Sequence, residues 1–180
     1  MSLPLRVIQP ARRALSIAFI VAISACGGSS TSPSTVPGST STMTATINGK
    51  AFSAVVALAV RTSGGVIPPN GTVGVTGNDK FTLPYTILTI TVPAVVGTYP
   101  LTPTGTPLIQ NAAVTDLTTT TNGEQWTVGA AGSGGSGSIT LSTLTATGAS
   151  GTFSFTAIAS TATGAAGTKV VANGKFNVKF

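Results

Sequence analysis

The 180-residue chain contains no histidine. That removes the side chain that most often serves as a general base near neutral pH, the middle member of a Ser-His-Asp arrangement and the commonest transition-metal ligand. Cysteine occurs once, at Cys26, so no intrachain disulfide can form and a multi-thiolate metal site is excluded. The acids are three, Asp79, Asp116 and Glu124, and hydrolysis by paired carboxylates would need two of them to converge by folding. Asp116 and Glu124 are near enough in sequence to approach across a hairpin. Charged residues make up 7 % of the chain, against about 25 % in an average soluble domain. Gly, Ser, Thr, Ala and Val take their place, a composition that favours strands and turns.

The formal charge of +6 overstates the basicity of the body of the chain, because Arg6, Arg12 and Arg13 lie in an N-terminal segment. Beyond it Lys50, Arg61, Lys80, Lys169, Lys175 and Lys179 face the three acids, six minus three, for +3. These cations are scattered. Nucleic-acid binding needs a clustered basic stripe with aromatic platforms, so it is not expected.

Residues 1 to 13 carry three arginines and no acid, and the apolar run Ala14 to Ile23 follows. This is the n-region and h-region order of a secretory signal. Ten helical residues rise about 15 Å, half of a ~30 Å hydrocarbon core, so a permanent span is disfavoured and cleavage is expected. The run ends in Ile23-Ser24-Ala25-Cys26, which resembles the lipobox of bacterial lipoproteins: an aliphatic residue, two small residues and the obligatory cysteine. The resemblance implies cleavage between Ala25 and Cys26, a diacylglycerol thioether on Cys26 and N-acylation of the new terminus. Several acyl chains, at about 0.8 kcal/mol per buried methylene, hold far more firmly than one myristoyl group. An Asp directly after the lipidated Cys is an inner-membrane retention cue in this class. Gly27 stands there instead, which implies the outer membrane.

The segment from Gly27 to Thr42 has no charge and almost no hydrophobes. Such a segment cannot bury enough apolar surface to offset ordering entropy, and a flexible tether is expected. The organisation read from sequence is therefore a signal peptide over 1–25, the lipidated Cys and tether over 26–42, and a domain over 43–180.

No stretch after Thr42 shows a 3.6-residue apolar period, whereas Thr, Val, Ile and Phe recur in short runs punctuated by Gly, Pro and Asn. An all-β domain of about eight or nine antiparallel strands follows, either a sandwich or a small up-and-down barrel. The strands are expected at 43–47, 52–60, 72–76, 85–92, 112–117, 125–128, 138–144, 151–159 and 169–180. Asn48-Gly49 between the first two suits the positive φ values of a type I′ hairpin. In the last, Phe176, Val178 and Phe180 alternate with Lys175, Asn177 and Lys179, one face inward and one wet. Asn173-Gly174 is either a second turn or a glycine bulge within this closing strand. Gly129 to Gly137 and the segments Pro68 to Gly71 and Pro103 to Pro107 read as loops.

A second resemblance rests on Asn48-Gly49-Lys50-Ala51-Phe52, Gly97-Thr98-Tyr99, Gly137-Ser138-Ile139-Thr140, Gly151 to Thr156 and Asn173-Gly174-Lys175-Phe176, which occur in this order. The domain is similar to a family of uncharacterised bacterial lipoproteins that open with an Asn-Gly-Lys-x-Phe hairpin and close with Gly-Thr-Phe-Ser-Phe and Asn-Gly-Lys-Phe. The likeness implies a small β fold and an envelope location, and it brings no activity or site residues.

Remaining chemical signals are few. Gly164 to Lys169 lacks the Gly-Lys-Ser/Thr ending of a phosphate-binding loop and reads as a turn. No Ser-x-x-Lys spacing supports a Ser-Lys dyad in the domain. Trp126, the sole tryptophan, is either a stacking platform for a sugar ring, and so a ligand contact, or a cap on the β core. The terminal alternation to Phe180 resembles the closing strand of outer-membrane barrels, but few runs reach the 9 to 11 residues such strands need and aromatics are sparse. The expectation is a non-catalytic, lipid-anchored module with no cofactor and no metal. Its partners are the bilayer through Cys26 and a glycan, a small apolar ligand or an envelope protein. The alternatives are an integral outer-membrane barrel and a ligand carrier with a barrel pocket.

Overall fold

Asn48 and Gly49 adopt φ of 48° and 79°, the left-handed pair that a two-residue hairpin requires and that Asn and Gly tolerate best. They join β1 (Thr42–Ile47) to β2 (Lys50–Ser53), with Ile47 opposite Lys50. The computed structural model describes residues 41–63, 69–103, 109–119, 123–130 and 133–180. The signal segment, the cleavage site Ala25-Cys26, the lipidation site and all but the last two residues of the tether, Ser41 and Thr42, lie outside the described residues.

Nine further strands follow: β3 (Val56–Arg61), β4 (Thr72–Asn78), β5 (Tyr85–Pro93), β6 (Gly97–Leu101), β7 (Asn111–Leu117), β8 (Gly123–Val128), β9 (Ser136–Leu144), β10 (Gly148–Ala159) and β11 (Thr168–Lys179). All pairings are antiparallel, and the main path runs β2-β1-β11-β10-β8-β7-β5-β4-β3. The all-β antiparallel class expected from sequence is the class observed. Among the described residues no helix is long and apolar enough to cross a membrane.

The two ends of this path, β2 and β3, are successive in the chain. Ala54 N–H still donates to Met43 O of β1, whereas Val55 N–H donates to Asn78 O of β4, each at 2.9 Å. The chain therefore changes partner within one residue, and what sequence alternation presents as one strand over 52–60 is two. A Cβ on Gly77 of β4 would lie 2.8 Å from Ala54 Cβ and 3.1 Å from Met43 Sδ, so the ends of the sheet meet there and the sheet curls into an open half-barrel. β10 makes the second change of partner. Its residues 149–156 pair with β9, which carries β6 on its far side, and Ile158 and Ala159 pair with β8. Strands that switch partners in this way make the corners of a curled sheet.

Alternation supplies one core. Leu88, Ile90, Val114, Ile139 and Leu141 are fully buried, each contributing about 1.5–3 kcal/mol relative to exposure. Phe153 stacks at 6.2 Å from Phe155 and 6.5 Å from Phe176. The closing strand holds its inward face only by a bulge. Val171 and Gly174 both face the core although they are three positions apart, an odd offset that would put them on opposite faces. Asn173, at φ 53°, takes up the extra residue, and the register with β10 slips between Phe153 and Phe155. Without the slip, every side chain after it would change face. Asn173-Gly174 is thus a bulge and not a turn. Phe176 and Val178 are buried as the alternation requires, but Phe180 lies past the strand end and is 40 % exposed.

Candidate functional site

The inward faces of β4, β5, β7 and β8 end in polar residues at one end of the domain. Asp79 N–H donates to Thr86 O at 3.1 Å, Thr86 pairs with Asp116, and Asp116 pairs with Glu124. All three acids of the chain therefore stand in one cross-strand row. Thr86 sits between two of them: its N–H donates to Asp79 Oδ1 and its hydroxyl to Asp116 Oδ1, both at 2.8 Å.

The opposite wall comes from β11 and the first hairpin. Lys169 Nζ donates to Asp116 Oδ2 at 2.6 Å, with the two side chains 19 % and 28 % exposed. The same ammonium lies 4.2 Å from the centroid of the Trp126 ring. Asn48 docks the hairpin on β11, its N–H donating to Val170 O at 2.8 Å and its Oδ1 accepting from Val170 N–H at 2.7 Å. Between these walls opens a cleft of about 280 Å³ lined by Ile47, Asn48, Lys50, Phe52, Asp79, Thr86, Asp116 and Lys169, among others.

Trp126 is 4 % exposed, and its Nε1–H donates to Ala166 O at 3.1 Å. With one face under Lys169 and the rest in the core, it offers no open surface for a sugar ring, and it is a core cap. Asp116 and Glu124 do come opposite one another, but Glu124 is exposed and both Asp116 oxygens accept hydrogen bonds. These bonds hold the Asp116 carboxylate against Thr86 and Lys169. Among the described residues no group of three or more Asp, Glu or Cys side chains is placed to hold a metal ion. The segment Gly164 to Lys169 leads into β11, not a helix, with Gly164 at the left-handed end of a short 3₁₀ turn over Thr161–Thr163.

No protein-family model, curated protein or solved structure matches this chain.

Sequence reasoning named Asp116 and missed its partners, because Asp79, Thr86 and Lys169 join it through long-range pairing. A signal existed. Asp116 continues the inward parity of Ala112 and Val114, and Lys169 that of Val171. A charge of each sign on the core parity at a strand end marks a rim where two charges can meet.

Proposed function

We propose that the protein is a lipid-anchored, non-catalytic module of the bacterial cell envelope, held at the outer membrane through acylated Cys26. It presents its polar cleft to a small polar ligand such as a glycan. The observation that carries this is the placement of the two features at opposite ends of one strand. The tether reaches the domain at Ser41, whose Oγ accepts from Lys179 N–H at 3.1 Å, while Lys169 lines the cleft. Ten residues of β11 separate these lysines, about 30 Å at 3.3 Å per residue. A ligand at the cleft would meet the end of the domain turned away from the anchor.

The non-catalytic reading draws on the chain's lack of histidine and on the hydrogen bonds that hold Asp79 Oδ1 and both Asp116 oxygens within the fold. A polar ligand is favoured over an apolar one because aromatic and aliphatic side chains fill the interior, whereas Asn48, Lys50 and Asp79 line the cleft. What weighs against an integral barrel is polarity. Most outward residues of β10 and β11 are polar, Ser150, Thr152, Ser154, Lys175, Asn177 and Lys179 among them, with Val170 an exposed apolar exception, where an outer-membrane barrel carries an apolar band. The resemblance to uncharacterised lipoproteins points the same way.

Cell fractionation with Cys26→Ser tests the proposal. The variant should leave the membrane fraction for the soluble fraction. Retention in membranes after alkaline extraction would favour the barrel instead.

A further inference from the structure

The end of the domain that receives the tether is built differently from the cleft end. Arg61 closes β3, and its guanidinium donates to Thr145 O at 3.4 Å. Thr145 N–H donates to Gly148 O across the β9–β10 turn at 2.9 Å, and Phe180 N–H donates to Thr147 O of the same turn at 3.1 Å. Next to Arg61, Thr62 N–H donates to Thr72 O, and Ala94 N–H donates to the neighbouring Gly71 O, both at 2.9 Å. These bonds tie the ends of β3, β5, β10 and β11 into one rim, with Ser41 bonded to it through Lys179.

The rim differs from the cleft end in charge, since the cleft end also exposes apolar side chains, Phe81 at 76 % and Leu83 at 37 %, beside Lys80, but sets them among the acids. Val95, Val96 and Phe180 are 43 %, 56 % and 40 % exposed, and Arg61 and Lys179 are exposed beside them. The three acidic side chains all stand in the row at the opposite end. Exposed apolar side chains set among cations suit the boundary between lipid headgroups and acyl chains, provided the headgroups are anionic. An anchor on Cys26 would also keep the rim near the membrane, because only sixteen residues, Gly27 to Thr42, lie between them, at most about 55 Å of fully extended chain. At that range even a weak contact is populated, because tethering makes it intramolecular.

We infer that this rim is a second, reversible membrane contact. Arg61 and Lys179 meet anionic lipid phosphates, and Val95, Val96 and Phe180 enter the interfacial layer. The domain then stands on its tether end with the cleft outward. This rests on the anchor at Cys26, and the experiment separates the two.

Full-length lipidated protein, whose only native thiol is acylated, is labelled with an environment-sensitive fluorophore at Val96→Cys or at Phe81→Cys, the latter beside the cleft. It is reconstituted into vesicles of phosphatidylcholine with or without phosphatidylglycerol. In the anionic vesicles the label at position 96 should shift to the blue and resist an aqueous quencher, and the label at 81 should do neither. Arg61→Gln and Lys179→Gln should each lower the docked-to-free ratio about fivefold without releasing the protein from vesicles. Equal quenching of both labels on vesicle-bound protein would overturn the docking, as would equal protection of position 96 in pure phosphatidylcholine. Failure to float with vesicles at all would overturn the anchor, and the docking with it.

Discussion

Asp116 and Lys169 offer the sharpest test of the claim that the acids of the cleft serve the fold. Their contact is short, at 2.6 Å, and the side chains are 19 % and 28 % exposed. Solvent screening is therefore partial, and the pair should exceed the 0.2–1 kcal/mol of exposed pairs only slightly; we expect a coupling of about 1 kcal/mol. Lys169 adds a contact over Trp126 at 4.2 Å, worth about 0.5–1 kcal/mol, and Asp116 accepts the Thr86 hydroxyl. Asp116→Ala should cost about 2 kcal/mol, since it breaks the pair and leaves both Lys169 and Thr86 without this acceptor. Asp116→Asn and Lys169→Met, singly and together, isolate the coupling by urea denaturation. Trp126 is a built-in reporter, as the only tryptophan and the ring beneath the ammonium. In 1 M salt, where the Debye length is about 3 Å, most of the coupling should survive, because the charges are in contact. A coupling below about 0.3 kcal/mol, or an Asp116→Asn variant more stable than the parent, would refute the structural role. The second result is the signature of a residue kept for function at a cost in stability.

Other expectations follow from single contacts. A Cβ on Gly174 would lie 2.2 Å from Phe153 Cδ2, whereas one on Gly49 meets nothing within 4 Å. Gly174→Ala should then cost about 3 kcal/mol by overpacking, and Gly49→Ala about 1 kcal/mol from its dihedral alone; equal costs in denaturation midpoints would contradict the bulge packing. Asn48→Ala loses both tolerance of φ 48° and the acceptor for Val170 N–H, about 2 kcal/mol. Asn48→Gly should recover only the dihedral part. Burial raises the Tyr99 hydroxyl above its usual 10.0, and the neutral group donates to Val95 O. Its stabilisation is complete below pH 10 and is lost as pH rises through the folded value, because the unfolded chain ionises first. Alkaline denaturation should therefore be shallower for Tyr99→Phe, and an unchanged slope would contradict the linkage.

Local chemistry was legible in the sequence, and long-range pairing was not. Asn48-Gly49 specified its hairpin because both residues are needed for one backbone shape. The alternation of Lys175 to Val178 specified a half-buried strand. The break at Ala54-Val55 left no mark, since nothing in an aliphatic run reveals that its two halves pair with β1 and β4. No strand is expected at β6 from sequence; it contains Pro100 and, among the described residues, pairs with β9 alone, and an edge strand tolerates proline. At Asn173-Gly174 the same dipeptide type yields a bulge, because the strands on either side continue and neither turns back. The Trp126 question was one of burial, and burial depends on Ala166 and Lys169, some forty residues later. The cleft is therefore a product of topology, assembled from four acceptors and donors that no motif links.

The central claim is the lipid on Cys26, and intact-mass spectrometry of the membrane-extracted protein tests it most directly. The account predicts a chain that begins at Cys26 and carries a diacylglyceryl thioether and an N-acyl chain, with Cys26→Ser showing neither the adduct nor cleavage at that position. A membrane-associated chain that begins elsewhere, or a free Cys26 thiol, would contradict it.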